Sequence, residues 1–431
     1  MAVTGAGVET VRIDRIAAGG RGVARLADGR VSFVPLSTPG DVLDVEVVRD
    51  RGRWTEARSV RIVERGPGRR EPPCPLYARC GGCALQHLEY ADQLRAKAAI
   101  VADALGRLGS WEVEPPPVTP APAEWRYRNR MTFTVRRLRG GRVVGGLHQR
   151  DRPGRILDVD ERCLLPDPAI ALAWGQVRSA WGGGARRLPP GRELRCTLRL
   201  AGPGAVALVV EGGRPGGDAA ALLADAPALE QVWHRQRGAE RPTLLAARPA
   251  ERDPVAGEVA AGGFAGGNAF TQVNEAAAGL LLDHVLAVVD ARPGSRVVDA
   301  YCGLGTLAGR IADVGAEVVG LERDPAAVDR GRALAPGVDF RCGDVEESLA
   351  GALPADVLVL NPPRAGLSTL VVEALLADAP PRVVYVSCDP ATLARDVDRL
   401  SSTYRGASVS CFDLFPQTAH VETVVELCAT T

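Results

Sequence analysis

The chain has 431 residues, 46% of them apolar, which supplies packed cores and exceeds one ordinary domain. Lys and Arg number 52 against 52 Asp and Glu, so the whole molecule is neither a polycation nor a polyanion. No apolar run reaches the ~18 residues that cross a bilayer, and no basic start with an apolar block opens the chain, so a cytoplasmic protein without a membrane partner is expected.

Five short strands are predicted over 8–16, 22–26, 30–35, 41–48 and 56–63. Turn signals separate them at Gly19-Gly20, Asp28-Gly29, Pro39-Gly40 and Asp50-Arg51-Gly52. That pattern predicts an OB-like β-barrel over residues 1–66, with exposed arginines and Trp54 as charge and stacking surface for an oligonucleotide. A purely structural barrel is the alternative.

A Pro/Gly/Arg linker follows, then Cys74, Cys80 and Cys83 in a C-x5-C-x2-C run. Three thiols this close can converge on one centre, with Cys163 as the fourth ligand. The irregular first gap and the remote fourth cysteine suit a [4Fe–4S] cluster; zinc is the alternative.

A helix is predicted over 90–108 and a proline-rich connector over 115–122. From 125 to 135 a strand is expected, with Arg126, Arg128 and Arg130 on one face and able to track phosphates. Residues 124–155 hold ten Arg against two acids, whereas 290–431 hold twelve Arg against twenty acids. A polyanionic partner gripped by the middle of the chain follows from that contrast. Further strands are predicted at 145–149 and 155–159, and a hairpin from 194–200 and 206–210. Residues 67–270 therefore read as an α+β central RNA-binding domain holding the cysteines. The helix at 91–108 is free to pack on the domain that follows.

Residues 271–431 read as an α/β Rossmann-like domain. Gln272 and Asn274, in the stretch FTQVNE, stand where a helix over 276–289 begins. Strand 296–300 runs into the glycine turn DAYCGLGT, in which Gly303 and Gly305 let a ligand approach the backbone. The next strand ends at Glu322, the ribose-binding position, and a third at Asp344, near an adenine. NAD and S-adenosyl-L-methionine both fit such a turn. Asp299, Asp344 and the chain ending favour S-adenosylmethionine: strands at 407–415 and 421–428 are joined by a link too short for a parallel crossover, so the last strand should run antiparallel. That ending marks the class I methyltransferase variant of the fold. A fourth strand ends in Asn361-Pro-Pro-Arg364, a corner also found in enzymes that methylate exocyclic amines. The fifth, RVVYVSCD, places Cys388 at a strand-to-helix corner, where open α/β sheets bind ligands. A buried inert thiol is the bland alternative.

The motifs C-x5-C-x2-C with Cys163, FTQVNE, DAYCGLGT, NPPRAGL, VSCDPATLARD and FPQTAHVET, in this order, resemble the RNA uracil-5-methyltransferase family, especially its ribosomal-RNA members with a TRAM domain and an iron–sulfur cluster. The resemblance implies that Cys388 is the nucleophile and Glu422 the base. It implies that Gln272, Tyr301, Gly303, Thr306, Glu322, Asp344 and Asn361 line the cofactor pocket. The family usually has Asp where Asn361 stands and often Asn where Thr306 stands. The implied activity is formation of 5-methyluridine in RNA through a covalent Cys–C6 adduct, by a monomer. A loop uridine of 23S ribosomal RNA is the expected target, since sequence-specific RNA reading prefers unpaired loops. Transfer RNA methylation, exocyclic-amine methylation and non-catalytic RNA binding by an iron–sulfur protein are the alternatives.

Overall fold

A computed structural model of the protein describes residues 7–202, 204–239, 241–249 and 272–430; Phe270 and Thr271 of FTQVNE lie outside the described residues. The described residues form two compact units. One comprises the chain up to Pro75, Cys83–Pro122 and the chain from Ala276; the other comprises Leu76–Gly82 and the described part of Ala123–Glu275.

In the first unit, β1 (Glu9–Arg12), β2 (Arg15–Ile16), β3 (Gly22–Arg25), β4 (Val31–Val34), β5 (Val42–Asp50) and β6 (Trp54–Glu64) form a sheet of order β1-β5-β6-β4-β3-β2. The single strand expected over 8–16 is split. The Ile13 N–H donates to Asp41 O and the Asp14 N–H to Val23 O, so the chain leaves β5 and joins β3 within two residues. One short stretch thus borders both edges of the sheet, which curls around Val11, Ile13, Ala24, Leu26, Val34, Leu43, Val45 and Ala57.

Helix α1 (Tyr90–Leu108) buries Ile100, Val101 and Leu105, and with them Lys97. The Lys97 ammonium donates to Asp413 Oδ1 and to the Phe415 carbonyl, which satisfies its buried charge. Beyond it, β7 (Val118–Thr119) joins the edge of the C-terminal sheet.

The second unit is built on β8 (Arg130–Arg137), β9 (Val143–His148), β10 (Ile156–Asp158), α2 (Pro168–Ala180), β11 (Glu193–Gly202), β12 (Ala205–Glu211), α3 (Ala219–Asp225), β13 (Leu229–Arg235) and β14 (Thr243–Ala247). Its sheet runs β10-β9-β8-β11-β12-β13-β14. Phe133 of β8 stacks on Trp174 of α2 at 4.1 Å between centroids, joining sheet to helix. The expectation that Arg126, Arg128 and Arg130 share one strand face is corrected here. Arg126 has φ +58°. Its N–H donates to Leu164 O and that of Arg128 to Leu165 O, while the Arg126 guanidinium donates to Cys163 O at 2.6 Å. The carbonyls of 163–165 capture this segment, and the strand starts only at Arg130.

The rest of the first unit contains α4 (Glu275–Val289), β15 (Arg296–Ala300), α5 (Thr306–Ala312), β16 (Glu317–Glu322), α6 (Pro325–Leu334), β17 (Val338–Cys342), α7 (Val345–Ser348), β18 (Val357–Leu360), α8 (Thr369–Ala377), β19 (Arg382–Ser387), α9 (Pro390–Leu400), β20 (Tyr404–Phe412) and β21 (Glu422–Ala429). The sheet order is β17-β16-β15-β18-β19-β21-β20-β7. Strands β15 to β19 are parallel, and β21 lies antiparallel between β19 and β20. The apolar runs of β18 and β19 are buried because apolar cores cover both faces of the sheet. Among the described residues no helix is long and apolar enough to cross a membrane.

Candidate active site

Cys388 follows directly on β19 and precedes Asp389, the N-cap of α9, whose carboxylate accepts from the Ala391 and Thr392 N–H groups. Pro390 then opens the helix, so strand and helix meet in a tight corner. Cys388 is half-buried. In the β19–β21 ladder the last pair is Ser387 with Thr423. The next residues on the two antiparallel strands are Cys388 and Glu422, which places a carboxylate across from the thiol. Glu422 is only 5% exposed.

Burial, then the charge of Glu422, pushes the Cys388 thiol up, and a hydrogen bond from Arg364 pulls it down. Burial also raises Glu422 to about 7, against the lowering effect of Arg364. One guanidinium therefore serves both groups, and the carboxylate is balanced between its two protonation states near neutral pH.

Arg364 carries no role in the sequence reading, although it lies within the quoted NPPRAGL. Its strand-end position after Asn-Pro-Pro, on the strand beside the one that leads to Cys388, is the signal that could have found it. The arginine sits on a loop held by α9. Thr392 Oγ1 donates to Arg364 O at 3.1 Å, Arg395 donates to Ala365 O at 2.8 Å, and Arg399 donates to Leu367 O at 2.8 Å. Asp396, fully buried, accepts from the Leu367 N–H and from Tyr385 Oη at 2.9 Å, and pairs with Arg395 and Arg399. Helix α9 thus fixes the loop of Arg364 to the corner that bears Cys388.

The other side of the site is set by the loop between β20 and β21. Gln417, with φ +69°, donates its N–H to Gln93 Oε1 of α1, and its side-chain carbonyl accepts from Gln93 Nε2 at 3.0 Å. Its backbone carbonyl accepts from the N–H groups of Ala84 and Leu85. These bonds anchor the loop that delivers Glu422, and they are the second feature absent from the sequence reading.

The residues expected to hold a cofactor gather at the C-terminal ends of β15 to β18, with one exception. Asp299 is buried, its Oδ2 has no hydrogen-bond partner, and burial raises it to about 7. Tyr301 has φ +65° and Gly303 φ +59°. Nothing lies within 4 Å of where a Gly303 Cβ would stand, so the turn opens onto free space. A Cβ on Gly305 would strike Phe340 at 2.3 Å, so the second glycine is required by packing. Glu322 ends β16 and accepts from the Gly303 N–H at 3.0 Å and the Asp324 N–H at 2.9 Å, which binds the turn to the neighbouring strand. Thr306 begins α5, Asp344 is the N-cap of α7, and Asn361 follows β18; all three are exposed. The Asn361 N–H donates to Ala300 O, which sets it beside the glycine turn. Gln272 is the exception: it belongs to the second unit, where its carbonyl accepts from Asn129 Nδ2 at 3.0 Å.

The cysteines expected to bind metal are distributed over both units. Cys74 and Cys83 fall in the first, Cys80 and Cys163 in the second, and all four stay out of disulfides. Among the described residues no three His, Cys, Asp or Glu side chains form a group that could hold a metal ion.

The strand order, the glycine turn and the thiol–carboxylate pair can be set beside known proteins. The model of the tRNA (uracil-5-)-methyltransferase family matches residues 351–430, the stretch that carries Asn361, Arg364, Cys388 and Glu422. Over nearly its whole length the chain is 35% identical to the 23S rRNA (uracil(1939)-C(5))-methyltransferase RlmD of Thiobacillus denitrificans, covering 94% of this chain and 96% of that protein. It is 37% identical to an RNA methyltransferase of Gloeobacter violaceus, covering 97% and 96%. The chain belongs to the RNA uracil-5-methyltransferase family. Its fold is that of the Pyrococcus abyssi tRNA (uracil-54, C5)-methyltransferase, crystallised with S-adenosyl-L-homocysteine, at a TM-score of 0.68 and 24% identity over 97% of this chain and 100% of that one.

Proposed function

We propose that the protein methylates C5 of a uridine in RNA with S-adenosylmethionine as donor, and that a 23S ribosomal RNA loop is its substrate. The observation that carries this is Cys388 placed across the sheet end from Glu422, with Arg364 acting on both. Methylation of an exocyclic amine requires neither thiol nor carboxylate.

The donor fits the residues present. Space above Gly303, the orphaned Asp299 oxygen beneath the turn, and the carboxylates of Glu322 and Asp344 at successive strand ends suit a nucleoside with a charged tail. Tyr301, Gly303, Thr306, Glu322, Asp344 and Asn361 are the residues assigned to hold it, while Gln272 keeps only the assignment that the family resemblance implies. When bound, it supplies an electrophilic methyl group.

C5 of uracil is a weak nucleophile. Cys388, having lost its proton to solvent, adds through sulfur to C6, and the C5=C6 pair of electrons moves into the carbonyl to give an enolate. Arg364 favours this step because it stabilises the thiolate. C5 then forms its bond to the methyl carbon, and the pair of the broken methyl–sulfur bond stays on the donor sulfur, so that S-adenosylhomocysteine would leave. Glu422 removes the C5 proton, the C–H electrons rebuild C5=C6, and the sulfur leaves as thiolate. The product is 5-methyluridine; the Cys388 thiolate is regenerated and Glu422 gives the C5 proton to solvent.

Residues 1–66 serve in this proposal as a TRAM-like barrel for RNA; the Arg51 guanidinium lies 5.8 Å from the Trp54 ring centre, a charged stacking surface. Residues 67–270 are the proposed central RNA-binding domain and 271–431 the proposed methyltransferase domain. A monomer acting in the cytoplasm completes it. A [4Fe–4S] centre on Cys74, Cys80, Cys83 and Cys163 is proposed on their spacing and free-thiol chemistry alone. The test of the substrate is mass spectrometry of ribosomal and transfer RNA from a deletion strain. Loss of one 5-methyluridine from 23S RNA is expected; loss from transfer RNA alone moves the substrate, and no loss removes the activity.

A further inference from the structure

The arginines of the second unit divide into those consumed internally and those left facing solvent. Arg137 is consumed: its guanidinium donates to the carbonyls of Gly184, Ala185, Leu188 and Gly191. Its N–H also donates to Arg192 O, so the β8–β9 hairpin is fastened to the loop before β11. The Arg214 N–H donates to Pro190 O at 2.8 Å and brings a third segment to the same place. A cavity of about 590 Å³ opens there, lined by Arg137, Arg186, Leu188, Pro190, Gly191 and Arg192.

Arg186 and Arg192 line it, the backbone of Arg214 is bonded to Pro190 at its edge, and Arg139 and Arg142 lie in the β8–β9 hairpin that Arg137 fastens there. All five are exposed, and none has a carboxylate partner among the described residues. The acids nearby are already engaged. Glu193 pairs with Arg136, Asp225 pairs with Arg187, and Asp218 caps α3 through the Ala221 N–H. Five guanidiniums without a carboxylate partner stand on three fastened segments, a concentration of uncompensated positive charge in a protein whose net charge is zero. An arrangement of this kind is relieved by an anion, and the planar fork of arginine matches phosphate oxygens. The apolar floor of Leu188 and Pro190 offers a resting place for a sugar or base between phosphates.

We propose that this face of the second unit, centred on Arg186 and Arg192, is a docking site for the phosphodiester backbone of the substrate RNA. It rests on the reading of RNA as substrate. Arg126, Arg128 and Arg130, the arginines that the sequence favours for this task, are not part of it.

The test uses the full chain and a fluorescein-labelled 23S ribosomal RNA fragment, with binding followed by anisotropy from low to high salt. In R186A/R192A the slope of log K against log salt should fall by about 1.4 to 1.8, and Kd should rise about tenfold at 0.1 M salt. The variant should lose in KM for this RNA far more than in kcat, whereas R186K/R192K should keep most of the salt slope. An R186A/R192A protein with unchanged slope and Kd overturns the proposal. If the wild type binds the RNA but forms no 5-methyluridine, the activity falls, and the slope difference still decides the docking face. If the wild type binds no RNA, both fall.

Discussion

Glu422 sits in a strand end almost closed to water, with a carboxyl raised to about 7 by burial. As base it must be ionised, so the rate should climb as pH rises through about 7, provided the thiol keeps pace. Stability moves the opposite way. The folded state favours the neutral acid, so this contribution is present below the ordinary value of 4.5 and is lost as pH rises through about 7. Glu422→Gln should therefore be close to neutral in thermal unfolding at pH 4 and stabilising by roughly 3 kcal/mol at pH 8. Equal melting shifts at both pH values would contradict the burial of an ionisable group there. Arg364 lowers both the thiol and the carboxylate. Arg364→Gln should move the alkaline rise of Cys388 alkylation by iodoacetamide to higher pH and reduce kcat at least tenfold. An unshifted alkylation profile would detach Arg364 from the thiol.

At the scale of elements, α9 and the 413–421 loop explain why the site has its shape. Asp396 accepts from the Leu367 N–H and Tyr385 Oη while lying wholly inside the protein. Asp396→Ala leaves those donors and two arginines without their acceptor, and a loss of about 3 to 5 kcal/mol in denaturant unfolding is expected. Retention of full stability would show that the clasp between α9 and the Arg364 loop is not formed. The buried strands were legible in the sequence because Val-rich runs ending in Gly, Asn-Pro or Cys-Asp-Pro corners have few other solutions. The antiparallel β21 was legible from the shortness of its link. Glu422 entered only through the family resemblance, and the ladder ending at Ser387 and Thr423 then set it across from Cys388. What stayed hidden depends on partners remote in the chain. Gln93 and Gln417 are bonded across 324 positions, and no local pattern announces it. Arg126 and Arg128 alternate with aromatics as a strand would, but the carbonyls of 164 and 165 outcompete a ladder. Arg364 was visible as a residue and lacked a role until the thiol stood beside it.

For the whole molecule, Lys97 and Asp413 link α1 to the C-terminal sheet through a fully buried ion pair. The cysteine proposal is decided by iron and acid-labile sulfide content of anaerobically prepared protein. About four of each per chain are expected; zinc without iron would replace the assignment, and metal-free folded protein would remove it. The central claim is that one sulfur bonds to the pyrimidine while one carboxylate releases it. Intact-mass analysis of Glu422→Gln mixed with S-adenosylmethionine and the substrate RNA tests this most directly. A covalent protein–RNA adduct carrying the added methyl group is expected, and it should be absent when Cys388→Ala is combined with Glu422→Gln. Steady turnover by Glu422→Gln with no adduct, or an adduct that survives loss of the Cys388 thiol, would contradict it.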